Sequence, residues 1–274
     1  MTASSWRPSL DGRSGLPTAA QLRPAPGAAP VPRMLAAQAL LELRLTLRRG
    51  ESILLTLIIP VGLLAFFTSV DVVAVEGERV DFLVPGVLAL AVMSSAFTGL
   101  AIATGYERAY GVLKRLGASA LPRSVLLAGK ALAVLAVEAL QVLVIVAVGF
   151  ALGWNPRGPA VPAVAAVALL VVLGTAAFAG LGLLLAGTLR AEATLAAANG
   201  LWVVFLLLGG VIFPLSRLPS GLQSLGRALP TAALSHALRD VLAAGAGLPA
   251  GDVAVLVAWA AGGLSLAALT FRWE

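Results

Sequence analysis

Few side chains in this chain are equipped for chemistry, and their scarcity already narrows its function. There is no cysteine and one histidine, His236. That removes disulfide frameworks, thiol nucleophiles, thiolate metal sites and any site built from several histidines. The sequence holds no paired carboxylates and no Ser/His/Asp set at spacings that would serve hydrolysis. Its sole Gly-Lys pair, Gly129-Lys130, has Ser124 where a G-x-x-x-x-G-K-[ST] loop needs its first glycine, and Ala131 where it needs a hydroxyl. Such a loop cradles phosphates with its backbone N–H groups, and this one does not qualify. One acid, Glu138, sits inside an otherwise uncharged run, with Gln141 following on the same helical face. At membrane depth a carboxylate costs roughly 3 kcal/mol unless hydrated or paired. It therefore has two readings: a proton carrier, or a group that bonds a neighbouring helix or reaches toward the interface. Ser94, Ser95 and Thr98 form a second polar set beside the small-residue row Ala91, Ser95, Gly99 and Ala103. Small residues four apart let helices approach closely, and their hydroxyls can bond across. The alternatives there are ordinary packing and a lumen-facing role.

The elements that must position these groups follow from composition. Of 274 residues, 59% are apolar and 12% charged, against about 45–50% and about 25% in soluble domains. There is too little polar surface for a water-facing particle, so the chain reads as an all-α integral membrane protein. Stretches without Asp, Glu, Lys or Arg run over 53–70, 82–104, 162–188, 195–215 and 253–271, and 131–153 carries only Glu138. Each suits a helix crossing a core of about 30 Å, which predicts six spans in one bundle. Fourth-span pairs Ala176/Gly180 and Gly182/Ala186 repeat the small-residue spacing.

The basic residues then orient the bundle. With six spans both termini share a side. That side holds Arg7, Arg13, Arg23, Arg33, Arg44, Arg48, Arg49, Arg108, Lys114, Arg115, Arg123, Lys130, Arg190 and Arg272, 14 of the 19 Lys and Arg. Both termini are predicted to be cytoplasmic, in the cell membrane. The net charge of +6 is thus a topology signal, and no nucleic-acid partner is needed to explain it.

Outside the spans, residues 1–32 carry six prolines and no apolar run, which predicts a disordered tail and no secretory signal. An amphipathic helix is predicted over 33–50, ahead of a transmembrane domain over 51–274. Its apolar stripe is Ala36, Ala39, Leu40, Leu43 and Leu47. Gln38, Glu42, Thr46 and Arg49 lie opposite, and Arg44 and Arg48 on a flank. Such a helix lies in the interface plane with leucines in lipid and charges in water, as a topology anchor or as a docking surface. The loop 105–130 has helical spacing over Glu107–Leu116, with Val112, Leu113 and Leu116 apolar and Arg108, Lys114 and Arg115 charged. Gly117 and Pro122 end it. It suits a cleft on a cytoplasmic partner or anionic headgroups. The segment 216–250 is too long to be shapeless. Its stripes Leu218/Leu222/Leu225/Leu229 and Leu234/Leu238/Val241/Leu242, split by Pro230, predict two short outer amphipathic helices that either dip into the outer leaflet or cap the bundle. His236 falls on their polar face.

The run Glu107-Arg108-Ala-Tyr-Gly111-Val-Leu-Lys114-Arg115-Leu116, then Leu121-Pro122, resembles the intracellular motif of ABC-2 type permeases, the membrane subunits of ABC exporters related to daunorubicin-type drug-resistance permeases. Phe213-Pro214-Leu-Ser-Arg-Leu218-Pro219, Leu229-Pro230 and Leu238-Arg239 are similar to that family's segment between spans five and six. The resemblance covers roughly 33–274; position 120 is Ala where the family often has Pro. It implies a permease paired with a second copy of itself, with two cytoplasmic ATP-binding subunits docked beneath. Glu107–Leu116 would be the coupling helix, 33–49 a surface helix beside that joint, and spans one and five would face each other across the dimer. ATP and Mg would sit on the partner, with no cofactor on this chain and no catalytic residue in it. The expected function is ATP-driven efflux of an amphipathic, drug-like or lipid-like cargo by alternating access. Two other readings stand beside it: a proton-coupled secondary transporter using Glu138, and a non-transporting membrane anchor.

Overall fold

The structure is a computed structural model that describes residues 28–48, 50–70 and 78–272. The expected tail over 1–32 lies outside it up to residue 27, as does Arg49. Every regular element among the described residues is helical. In hydrocarbon the backbone has no water to bond, so an apolar run must satisfy its own N–H and C=O groups, and a helix does this within one segment.

The order is α1 (Val31–Arg48), α2 (Gly50–Ser69), α3 (Arg79–Met93), a π turn (Ser94–Gly99), α4 (Leu100–Ala109), α5 (Val112–Gly117), α6 (Arg123–Ala151), α7 (Ala160–Thr188), α8 (Ala191–Leu208), α9 (Ser220–Arg227), α10 (Pro230–Leu242) and α11 (Ala250–Thr270). Five continuous helices are long and apolar enough to cross a membrane: 79–109, α6, α7, α8 and α11. A shorter apolar helix, Thr56–Ser69 within α2, stands where the first span was expected. The chain is therefore a multi-pass membrane protein.

The helix 79–109 is the centre of the bundle, with 67% of its most apolar window buried, against 22–44% for the other four. Its neighbours close on it through α2, α6, α7 and α10. The core runs along it through Leu83, Leu88, Met93 and Phe97, meeting Leu170, Phe178 and Phe205. Glycine decides how near the helices come. A Cβ at Gly180 would lie 2.6 Å from Leu264 N and 2.7 Å from Gly263 C, and one at Gly182 would lie 2.8 Å from Phe97 O. The small residues of α7 thus seat α11 on one face and the π turn on the other.

Three features differ from the expectations drawn from sequence. The fifth span, expected to reach 215, stops at Leu208. Gly209 packs against Thr231 and Gly210 takes a left-handed conformation (φ 62), which ends the helix; in the uncharged stretch that follows, Val211 is buried and Phe213 exposed. The two helices expected in 216–250 are α9 and α10, but α10 is sunk into the core through Ala233, Leu234, Ala237 and Leu238. In α1, Leu40, Leu41, Leu45 and Leu47 are exposed, while Gln38 is buried and Glu42 half-buried. The row Gln38/Glu42 faces α6, not water, because α6 offers it a cation.

The Gly180 crossing gives a direct test. Gly180→Val should lower the unfolding free energy by about 1–3 kcal/mol through overpacking against backbone, read by denaturant titration in micelles. Gly262→Ala, with nothing within 4 Å of its Cβ, should leave the midpoint in place.

Candidate functional site

The cation that turns α1 inward is Lys130, near the start of α6 and 1% exposed at its side chain. Its ammonium lies 2.8 Å from Glu42 Oε1 on α1 and 2.5 Å from Glu107 Oε2 on α4. Gln38 donates to the same Glu42 oxygen at 2.8 Å. Gly129 makes room for this approach, since a Cβ there would lie 2.6 Å from Gln38 Cγ. One buried lysine thus joins α1, the end of the central helix and α6.

The neighbouring residue fastens α4 in another direction. Arg108 donates to the carbonyl of Leu189 at the end of α7, where the free carbonyls of a helix terminus favour a cation. The chain then turns at Gly111, whose φ of 70 lies in the left-handed region that favours glycine. The helical spacing over Glu107–Leu116 is consequently split. Glu107 and Arg108 close α4, and Val112, Leu113, Lys114, Arg115 and Leu116 form α5. Leu113 is fully buried, in a cluster with Leu100, Leu126, Leu183 and Phe271. That leaves Val112, Lys114 and Arg115 exposed and Leu116 half-buried. The result is a short helix with an apolar root and a basic outer face, held on a corner wired to α1, α6 and α7. On α1 the residues Arg44 and Arg48 remain exposed, and Leu43 is half-buried.

Above this corner a cleft of about 590 Å³ runs between α1, α2, α4 and α6. It is lined by the polar residues Glu42, Thr46, Glu107 and Lys130, by Tyr106 and Tyr110, and by Thr56, Ser95 and Gly99. Ser95 donates to Gln141 Oε1 at 3.0 Å, and Gln141 in turn donates to Thr56 O at 3.0 Å. The π turn separates the other residues of the set. Ser94 points away and accepts from Trp202 Nε1 at 3.0 Å, and the buried Thr98 hydroxyl has no hydrogen-bond partner. Glu138 is fully buried on the α7 side of α6, accepts from Thr175, and leaves Oε1 without a partner. It is not among the cleft residues. Ser95 and Gly99 therefore line one cleft, with Gln141 bonded to Ser95, while Ser94, Thr98 and Glu138 are not among its lining residues.

At the opposite end His236 Nδ1 lies 2.7 Å from Asp252 and 3.7 Å from Asp240. These are the described residues grouped closely enough to ligate a metal ion. The lone histidine ruled out a multi-histidine site, yet the fold sets it among two aspartates from α10 and α11. Sequence reasoning also passed over Lys130 and Arg239 as partners. The available signal was a lysine at the root of an apolar helix, and an arginine inside an amphipathic stripe.

A family model described as ABC-2 type transporter matches residues 38–243. The chain belongs to that family. The match opens on Gln38 at the Lys130 joint and closes just past α10. An ABC-2 type transporter protein of this kind is the membrane part of a transporter and is not itself catalytic; such permeases generally work with an ATP-binding subunit. The chain is also similar to "Putative transport permease YvfS" of Bacillus subtilis (strain 168), 25% identical over 196 residues, or 71% of this chain and 79% of that one.

Lys130→Met should cost about 1–3 kcal/mol of stability, because it strips the cation from two part-buried carboxylates. The triple variant K130M/E42Q/E107Q should recover much of that loss, since no uncompensated charge then remains at the joint. Thermal unfolding in nanodiscs compares them.

Proposed function

We propose that this protein is the permease of an ATP-driven exporter, working as a pair of copies with two ATP-binding subunits beneath them. The observation that carries this reading is α5: basic and exposed outside, apolar and rooted inside, on a corner joined by Lys130 and Arg108 to helices at both sides of the bundle. A push on α5 from a partner is passed to α1, α6 and α7 together, since buried ion pairs and close-packed side chains have discrete arrangements and do not yield gradually.

In this reading α2 is the sixth span and the end bearing α1 and α5 faces the cytoplasm. α1 lies in the interface, with its exposed leucines in lipid and Arg44 and Arg48 toward the headgroups. α2 and α8 border the partner copy. Glu107, Arg108, Gly111, Val112, Leu113, Lys114, Arg115 and Leu116 couple the bundle to the ATPase, which holds ATP and Mg. The cleft lined by Ser95 is the inward-facing part of the pathway. Its apolar wall and few polar groups suit an amphipathic, drug-like or lipid-like cargo. Alternating access follows when nucleotide-driven closure of the ATPase pair tilts α5 and closes the cleft between α1, α4 and α6. Glu138 bonds Thr175 away from the cleft, which supports a packing role for it over proton carriage.

Two measurements test the reading. Charge reversal in K114E/R115E should weaken co-purification with the ATP-binding subunit at least tenfold and reduce transport in parallel, with thermal unfolding unchanged. An intact complex with normal cargo-stimulated hydrolysis would overturn it. Ser95→Leu should lower cargo flux severalfold while the complex still assembles; unchanged flux would place the pathway elsewhere.

A further inference from the structure

α10 has 13 residues, about 20 Å at 1.5 Å per residue, too short to cross the bilayer. It is nonetheless buried on nearly every side, packed on α3, α7, α8 and α11. It closes the end of the bundle opposite α1. Nearly all of that closure is apolar, through Leu234, Leu238 and Val241. Two polar groups stand apart from it: Ser235 donates to Gly209 O at 2.7 Å, and Arg239 carries the charge. Its Nη2 donates to Gly210 O at 2.5 Å and Val211 O at 3.0 Å, and its Nε to Phe82 O at 3.4 Å. The guanidinium carbon lies 3.9 Å from the centre of the Phe82 ring. No carboxylate forms an ion pair with it among the described residues. Burial pushes its pKa down to about 10, which still leaves it charged at neutral pH.

The charge is offset by two carbonyls of the turn that follows α8 and by an aromatic face. These bonds exist only while the chain holds its left-handed turn at Gly210 and while α10 lies against the start of α3. Gly86 shares the joint, since a Cβ there would lie 2.4 Å from Val211 O and 3.1 Å from Arg239 Nη2. An apolar plug alone would resist opening in proportion to its area. Directed bonds to three carbonyls on two backbone segments instead hold one geometry and let go together, and water can replace them once they part.

We infer that Arg239 is a positioning residue that latches the outer seal: it holds α10 against α3 and the end of α8 in the inward-facing state, and releases them when the permease opens outward. The inference rests on the alternating-access reading above.

The chain has no native cysteine, so A233C on the buried face of α10 supplies a single thiol. Its modification by a membrane-impermeant maleimide is measured on intact cells expressing the full complex. With Arg239 present, labelling should be slow. Arg239→Met should speed it at least tenfold, and Arg239→Lys should fall between, because one ammonium cannot reproduce the planar fork. Gly86→Ala wedges the same joint with the arginine intact and should also speed labelling, which keeps the test open if the methionine variant fails to fold. The readout that mere stapling would leave alone is the amount of a fluorescent amphipathic dye of the rhodamine class moved per ATP hydrolysed, which should fall severalfold in each folded variant as the seal leaks. Labelling at the parent rate in folded variants, or faster labelling with an unchanged cargo-to-ATP ratio, overturns the latch. If the parent shows no ATP-dependent transport, the exporter reading fails instead, and the labelling rates alone still decide whether Arg239 holds α10 shut.

Discussion

In the hydrocarbon of a bilayer a polar group has no water to fall back on, and each one carried into the bundle must find its partner in the protein. Most hydroxyls here solve this locally. Thr68, Ser69, Thr188 and Thr270 each donate to the carbonyl four residues earlier, and so place no demand on tertiary structure. The groups that cannot turn back on their own helix are the ones that define the architecture. Lys130 draws Glu42 and Glu107 to α6, Gln141 links Ser95 to Thr56, and Arg239 gathers the ends of α8 and α3 onto α10. Apolar packing brings these helices together without much preference for rotation or depth. The polar contacts select one arrangement.

The same constraint explains where the protein is able to move. Helix contacts made through glycine, such as α7 on α11, bring backbones within van der Waals reach and leave little freedom. Contacts made through a buried ion pair or a guanidinium on carbonyls are specific but can be exchanged for others. These lie at the two ends of the bundle, one beside α5 and one beside α10, with the π turn between them. A π turn inserts an extra residue into a helical turn and recurs at functional positions. Here it sends Ser94 toward Trp202 and Ser95 toward Gln141. That distribution suits a permease in which a displacement imposed at one end must be felt at the other.

Much of the layout is legible in the residues. Long uncharged runs announce the spans, the motif from Glu107 to Leu116 announces the family, and split leucine stripes announce α9 and α10. Legibility fails where meaning depends on a partner distant in sequence. Gln38 and Glu42 read as a water-facing row until Lys130, some ninety positions later, is seen opposite them. The uncharged stretch after Leu208 reads as continuing membrane, because glycine is tolerated inside membrane helices as well as at their ends, and the left-handed turn at Gly210 leaves no other mark in the sequence.

What the sequence alone determines is therefore the class of solvent, the approximate number and limits of the helices and the family, since each rests on hydrophobicity and spacing within one segment. Only the tertiary structure decides which polar groups meet: that Glu107 pairs with Lys130 while Glu138 turns to Thr175, that α1 faces inward by its polar row, and that Arg239 sits on carbonyls. Helix periodicity puts a side chain on a face but does not say which helix that face will meet. That choice is made by the close approach of glycine-lined surfaces and by the cost of leaving any charge in hydrocarbon without a partner.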